Sequence, residues 1–233
     1  MAEYRISEHA VRLEVEPGVG LEGTLSVPES VSGVVLFAHG SGSSRFSPRN
    51  RYVAGVMQQA GLATLLMDLL TLGEEEAERR TRHLRFDIEL LARRLVGATR
   101  WLERVSGLGG QPLGLIGSST GAGAALVAAG RMPEAIQAVV SRGGRPDLAG
   151  AALPAVRAPT LLIVGGEDTQ VIALNEQALE ALRTLKRLEI VPGATHLFEE
   201  PGTLEQAARL ARDWFLQHLA TDARQQPSGE APP

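Results

Sequence analysis

Residues Leu113–Ala125 read LGLIGSSTGAGAA. A short apolar run, Leu113 to Ile116, leads into Gly117-Ser118-Ser119-Thr120-Gly121, and a run of glycine and alanine leaves it. The middle residues fit G-x-S-x-G with Ser119 in the central slot; Ser118 is a neighbour outside that slot. The pattern predicts a strand, a sharp turn and a helix, with the serine hydroxyl held above the edge of a sheet. Glycine at 117 and 121 removes side chains that would collide across such a turn. Gly123, Ala124 and Ala125 let the helix pack close to the sheet. The helix N-terminus directs partial positive charge at the serine and favours an anion developing there. The competing reading is a plain Gly-Ser turn in which the serine only caps the helix.

Similar apolar runs lie on both sides of this stretch. Gly33–Ala38 (GVVLFA), Leu62–Met67 (LATLLM), Ile136–Val140 (IQAVV) and Thr160–Val164 (TLLIV) are nearly continuous, and Leu188–Val191 (LEIV) is a shorter candidate. Such runs mark strands buried on both faces of a parallel sheet. Helical patterns separate them at Arg49–Gln59, His83–Val105, Thr120–Ala129, Ala173–Leu185 and Leu204–Leu219. Strands alternating with helices predict an α/β fold, a mostly parallel sheet with helices on both faces. His9–Glu16 and Leu21–Val27 instead alternate with period two around Pro17-Gly18, which predicts a hairpin or meander. Gly73–Arg82 (GEEEAERRTR) reads as a solvated loop leading into the next helix. One domain is expected over residues 1–220. Thr221–Pro233, with three prolines, is expected to be a disordered tail.

A serine hydroxyl attacks only after a base takes its proton. Of the five histidines, His83 and His218 fall in helical patterns and read as surface residues. His9 falls in the first strand, and His39 ends the run Gly33–Ala38. His196 follows the last strand candidate, in Pro192-Gly193-Ala194-Thr195-His196. That loop belongs to the C-terminal edge of the sheet, where open α/β sheets bind ligands. Asp168 ends another buried run and can accept from the second imidazole nitrogen, fixing the tautomer. Glu167 is the competing acid, and Asp168 is preferred for its place just after the strand. The candidate catalytic residues are therefore Ser119, Asp168 and His196. The bland alternatives are a helix cap for Asp168 and an incidental loop position for His196.

Acyl transfer builds negative charge on a carbonyl oxygen, and two backbone N–H groups must be aimed at it. The first expected donor is Thr120, the residue after the nucleophile. The second is Ser41, in His39-Gly40-Ser41-Gly42-Ser43-Ser44, with Gly42 the near alternative. A Gly/Ser loop after a strand can also cradle phosphate, but neither G-x-x-x-x-G-K-[ST] nor G-x-G-x-x-G is present. Arg45, Arg49 and Arg51 follow this loop, and Arg142 and Arg145 follow the run Ile136–Val140. Topology brings both groups to the same sheet edge. Arg142 and Arg145 are candidate substrate-binding residues that could clamp a carboxylate. The alternative is that the arginines bond loop carbonyls or surface acids.

The elbow, the HGSGSS loop and the loops of Asp168 and His196 resemble the α/β-hydrolase superfamily. The chain order Ser119, Asp168, His196 is the order of that fold. Within it, HGSGSSRFSPRNRYVA and VVSRGGRPDLA are similar to the dienelactone hydrolase family, over about Val19 to Leu219. The resemblance implies an eight-stranded sheet, mostly parallel with an antiparallel second strand, and no metal or organic cofactor. Founding members of the family carry a cysteine nucleophile. Here the slot holds serine and the chain has 0 cysteines, so ordinary ester or lactone chemistry is expected in place of dienelactone turnover. Only Arg145 to Arg157 separate the VVSRGG segment from the next strand, so no cap domain is expected, and the site should favour small substrates.

Composition narrows the partners. The absence of cysteine excludes disulfides, thiolate metal sites and a cysteine nucleophile. A net charge of −4 offers no basic excess for nucleic acid or an anionic membrane. No apolar run reaches the ~20 residues of a membrane helix, and MAEYRISEHA lacks the features of a signal peptide. These observations predict a cytoplasmic protein acting on a small-molecule ester or lactone through an acyl-enzyme. An acyltransferase, or a non-catalytic binding protein on the same fold, is the alternative.

Overall fold

Two kinds of strand, distinguished by apolar pattern, join in one sheet. In the computed structural model, which describes residues 5–219, Ile6–Glu16 (β1) and Val19–Pro28 (β2) form an antiparallel hairpin. Its inward residues Leu13, Val15, Leu21 and Leu25 are buried, as the alternation predicts. Gly33–Ala38 (β3), Leu62–Met67 (β4), Leu113–Ser119 (β5), Ile136–Gly144 (β6), Thr160–Gly165 (β7) and Lys186–Val191 (β8) complete it. The order is β1-β2-β4-β3-β5-β6-β7-β8. β2 is antiparallel to β4, and every pairing from β4 through to β8 is parallel. This is the eight-stranded α/β-hydrolase sheet.

Every residue of β3, β4 and β7 is buried, because helices cover both faces. Val34, Leu36 and Ala38 pack with residues of Ile88–Leu102 (α3), Thr120–Arg131 (α4) and Thr169–Ala181 (α5). Val35 and Phe37 face the other way, toward Pro48–Gln59 (α1) and Thr203–His218 (α6). Alternate residues of one strand thus feed two separate cores. Strand order reverses between β3 and β5, where β4 lies on one side of β3 and β5 on the other. The carboxyl ends of these two strands flank the crevice in which such sheets bind ligands.

Several boundaries depart from expectation. The charge run expected as a loop forms a helix, Leu72–Thr81 (α2). Thr71 and Glu74 close a reciprocal capping box at its start. Glu74 and Glu75 lie in the first turn and Arg79 and Arg80 in the last, which suits the helix dipole. Buried Arg94 of α3 holds it by donating to Glu74 at 2.7 Å and to Glu16 at 2.9 Å. The helix expected from His83 starts only at Ile88, because Asp87 caps Leu90 N–H at 2.9 Å and Leu84–Phe86 form a 3-10 turn. His83 is exposed outside any helix, whereas His218 is half-buried against Trp214 at 4.4 Å. α5 starts at Thr169, four residues before the expected Ala173. Between β6 and β7 lie only 3-10 turns over Pro146–Ala155, so no cap domain is inserted there. The tail Thr221–Pro233 lies outside the described residues. Among those residues no helix is long and apolar enough to cross a membrane.

Candidate active site

β5 ends at Ser119 and α4 begins at Thr120. The turn between them gives Ser119 φ 50 and ψ −126, a conformation that strains any residue with a side chain. The glycines beside it are required by contact. A Cβ on Gly117 would lie 2.4 Å from the Ala122 Cα, and one on Gly121 would lie 2.3 Å from the Ala38 carbonyl oxygen. Ser119 occupies the N-cap position of α4, yet its side chain makes no capping hydrogen bond. It lines a cavity of about 220 Å³ together with Ser41, Arg49, Asn50, Arg142 and His196.

Asp168 repeats this relationship. It sits at the N-cap of α5 and makes no side-chain cap bond. Its carboxylate accepts instead from His196 Nδ1 at 2.6 Å. A carboxylate only accepts, so Nδ1 carries the proton and Nε2 is left as the acceptor. Glu167, the competing acid, is exposed. The His196 loop is pinned from behind by Glu200, a residue the sequence reading passed over. Its carboxylate accepts from the Thr195 amide at 3.0 Å and the Thr195 hydroxyl at 2.6 Å. Its carbonyl accepts from Thr203 Oγ1 at 2.7 Å, at the start of α6. The bonds from Thr195, hydroxyl first and amide second, hold the Glu200 carboxyl below the usual carboxylate range.

His39 has a different task. Its Nδ1 donates to the Gly40 carbonyl at 3.0 Å, and its Nε2 accepts from Leu69 N–H at 3.2 Å. Burial pushes its pKa down, so it is a neutral peg between the ends of β3 and β4. Beyond it, Ser41 lines the Ser119 cavity, and Gly42 lines the neighbouring cleft beside Arg85. The Ser41 hydroxyl lies 3.0 Å from the Thr120 hydroxyl. Among the described residues Ser41 N–H donates to no other group. Thr120 N–H, the first of its helix, has no partner within the helix. The Ser41 amide is thus left without a donor bond in the loop after β3, and the Thr120 amide opens α4 after β5.

The two expected arginines separate. Arg142 is 6% exposed, paired in register with Ser118 across the sheet. Its Nη2 donates to Asn50 Oδ1 at 2.8 Å and to Ser118 Oγ at 2.9 Å. Burial, and then the charge of Arg49, lower its pKa to about 10. Arg145 is drawn into a bidentate pair with Asp147, at 2.8 and 2.7 Å. The expectation of a substrate contact from Arg145 thus gives way to the surface-acid alternative. Arg45 pairs with Asp68, and Arg49 with Glu199 at 3.1 Å. Among the described residues no group of three or more His, Asp or Glu is arranged to hold a metal ion.

Comparison with known proteins agrees with the fold. The model of the dienelactone hydrolase family matches residues 21–221. The crystal structure of a dienelactone hydrolase from Anabaena variabilis is 63% identical, with a TM-score of 0.90, covering 93% of this chain and 100% of that one. Est1E from Butyrivibrio proteoclasticus shares the fold at 14% identity, with a TM-score of 0.74, covering 89% of this chain and 98% of its own. Two Mycobacterium tuberculosis proteins, each named "Putative phosphoribosyl transferase", are 59% identical over 218 residues, covering 94% of this chain. The chain spans about half, 48%, of the length of those relatives.

Proposed function

The chain belongs to the dienelactone hydrolase family, a family of hydrolases, and from that premise we propose that it cleaves small carboxylic esters or lactones through an acyl-enzyme on Ser119. Ser119 Oγ attacks the carbonyl carbon while His196 Nε2 takes the hydroxyl proton. Asp168 holds the imidazole in the tautomer that accepts this proton and stabilises the imidazolium. The amides of Ser41 and Thr120 receive the oxyanion. Collapse of the tetrahedral adduct breaks the bond to the leaving oxygen, which takes the proton from His196. Water then gives His196 a proton, attacks the acyl-enzyme and releases the acid, restoring Ser119.

The observation that carries this reading is the withheld cap. Ser119 and Asp168 are both good N-cap residues at N-cap positions, and neither side chain caps its helix. Each helix forgoes about 1 kcal/mol of capping, and the strain at Ser119 adds to that. Such costs gather at functional sites. A cavity of about 220 Å³ suits a small acyl group. The protein is proposed to act in the cytoplasm, without metal or organic cofactor. The phosphoribosyl transferase name belongs to proteins twice as long and supplies no role for these residues.

The test is turnover of p-nitrophenyl acetate and butyrate, with Ser119→Ala as control, alongside labelling by a fluorophosphonate. Turnover and labelling that vanish in the variant support the reading. Silence in both assays sinks it and favours a binding protein. A product that appears only when an alcohol or amine is added would make the protein an acyltransferase.

A further inference from the structure

α2 has one buried residue, and it is an acid. Glu78 is 1% exposed, while Arg79 and Arg80 beside it are exposed. Its carboxylate accepts from Leu84 N–H at 2.7 Å and pairs with Arg85 Nε. It lies outside the Ser119 cavity and takes no part in the proposed chemistry. A buried carboxylate is costly unless it is paired and hydrogen-bonded. A leucine at this position would bury well beside Leu69, Leu70 and Leu91, which line the same cleft. What the charge adds is a fixed position for two successive residues, Leu84 and Arg85.

Those two residues stand behind the loop after β3. The Arg85 carbonyl accepts from Ser41 Oγ at 3.4 Å. The Arg85 guanidinium lies beside Gly42, where a Cβ would be 3.6 Å from Nη1. A carbonyl only accepts, so Ser41 uses its one hydroxyl proton there, and the Thr120 hydroxyl, 3.0 Å away, donates to Ser41. One chain of hydrogen bonds results. It runs from Thr120 to Ser41 and on to the Arg85 carbonyl, and the Glu78 carboxylate anchors it through Leu84 and Arg85. Glu78, Arg85, Ser41, Gly42 and Thr120 line one cleft. We infer that Glu78 is a positioning residue for the oxyanion donors: through Leu84 and Arg85 it holds the Ser41 amide at the place that the tetrahedral adduct on Ser119 requires. The inference rests on the acyl-enzyme reading and extends it to an acid on a helix outside the Ser119 cavity.

Glu78→Gln keeps the size and an acceptor for Leu84 N–H but weakens the hold on Arg85. On p-nitrophenyl butyrate it should lower kcat by about threefold to tenfold, the span of an ordinary hydrogen bond, with KM changed by less than about twofold. Affinity for an aliphatic trifluoromethyl ketone, whose adduct with Ser119 places an oxyanion on the two amides, should fall by the same factor as kcat. In a Ser41→Ala background the chain is already cut, and Glu78→Gln should then change kcat by less than about twofold. A merely structural role would lower the amount of folded enzyme whatever stands at position 41. Its loss would add to that of Ser41→Ala, and such additivity overturns the inference. So does an unchanged kcat, or a fall in kcat with ketone affinity intact. Should Glu78→Gln fail to fold, Arg85→Gln breaks the pair from its half-buried side and carries the same expectations. Hydrogen exchange separates the two readings. Ser43 N–H donates to the Gly40 carbonyl at 3.1 Å across the loop, and it should exchange faster in Glu78→Gln than in wild type. If wild type cleaves no ester and this amide still exchanges faster in the variant, the acyl-enzyme reading falls and Glu78 stands as the brace of the loop. Exchange at the wild-type rate overturns the inference whether or not esters turn over.

Discussion

The hydroxyls of Ser41 and Thr120 lie 3.0 Å apart, and through them the loop after β3 is tied to the first residue of α4. These are the two residues whose amides are proposed to receive the oxyanion. The tie spans the point where strand order reverses, so it sets the spacing of two donors that no continuous element holds. Thr120→Val keeps the side-chain shape and removes the tie. A hydrogen bond of this kind contributes about 0.5–1.5 kcal/mol, so kcat should fall by roughly twofold to tenfold with KM little changed. Ser41→Ala should do the same, and the double variant should be no worse than either single one. Steady-state kinetics on p-nitrophenyl butyrate reads this. Additive losses would mean that the hydroxyls act separately.

Ser119 pays for its position in backbone strain, at φ 50 and ψ −126. Glycine adopts that conformation freely. Ser119→Gly and Ser119→Ala should both be inactive, and the glycine variant should be the more stable by about 1 kcal/mol. For a domain of this size that corresponds to about 2–4 °C in Tm. Calorimetry that ranks alanine above glycine would show that the strain is not held at this residue.

The positions of Ser119, Asp168 and His196 were legible because each follows a strand candidate, and the loops after parallel strands share one edge; β5 and β7 are buried runs, whereas β8, before His196, has only Val191 buried. The sequence could not decide whether Ser119 and Asp168 act as caps, since the same residue types at the same positions serve either purpose. Only the observed direction of their side chains separates the two. α2 was hidden by its charge, although Thr71 and Glu74 carry the capping-box spacing that could have revealed it. The arginines were placed at the right edge, but edge position alone does not say which one points inward. Period-two alternation could have helped: Arg142 shares a face with Ala138 and Val140, which pack toward α1 and α6, and there it meets Asn50. Arg145 lies past the strand, where Asp147 two residues on captures it. Glu200 left no signal, because its partner Thr195 is chosen by loop shape.

The bond from His196 Nδ1 to Asp168 at 2.6 Å predicts an effect through the tautomer. Asp168→Asn keeps the volume and offers an amide that can donate to Nδ1, which turns the proton to Nε2 and away from Ser119. By analogy with other Ser-His-Asp sites, kcat should fall by on the order of 10³–10⁴. Labelling by a fluorophosphonate should slow in proportion, since the same base activates the serine. Glu167→Gln, at an exposed neighbour, should change kcat by less than about twofold. If the Glu167 variant were the inactive one, the roles of the two acids would be exchanged.

Glu200 gives a pH-dependent test of the loop that carries His196. Thr195 donates its hydroxyl and its amide to the Glu200 carboxylate, lowering its folded-state pKa from the ordinary value of 4.5. With the folded value depressed, the unfolded chain takes up this proton first as pH falls. The contribution of Glu200 to stability is thus fully present above the ordinary value and is lost as pH drops through the folded one. Glu200→Gln should have a lower Tm than wild type at pH 7, and the gap should close as pH falls below 4.5. At pH 7 the variant should also lose kcat more than it gains KM, because a looser loop places the His196 imidazole less well. A Tm gap independent of pH would mean that the carboxylate charge does not hold the loop, and an unchanged kcat would mean that the loop does not need holding.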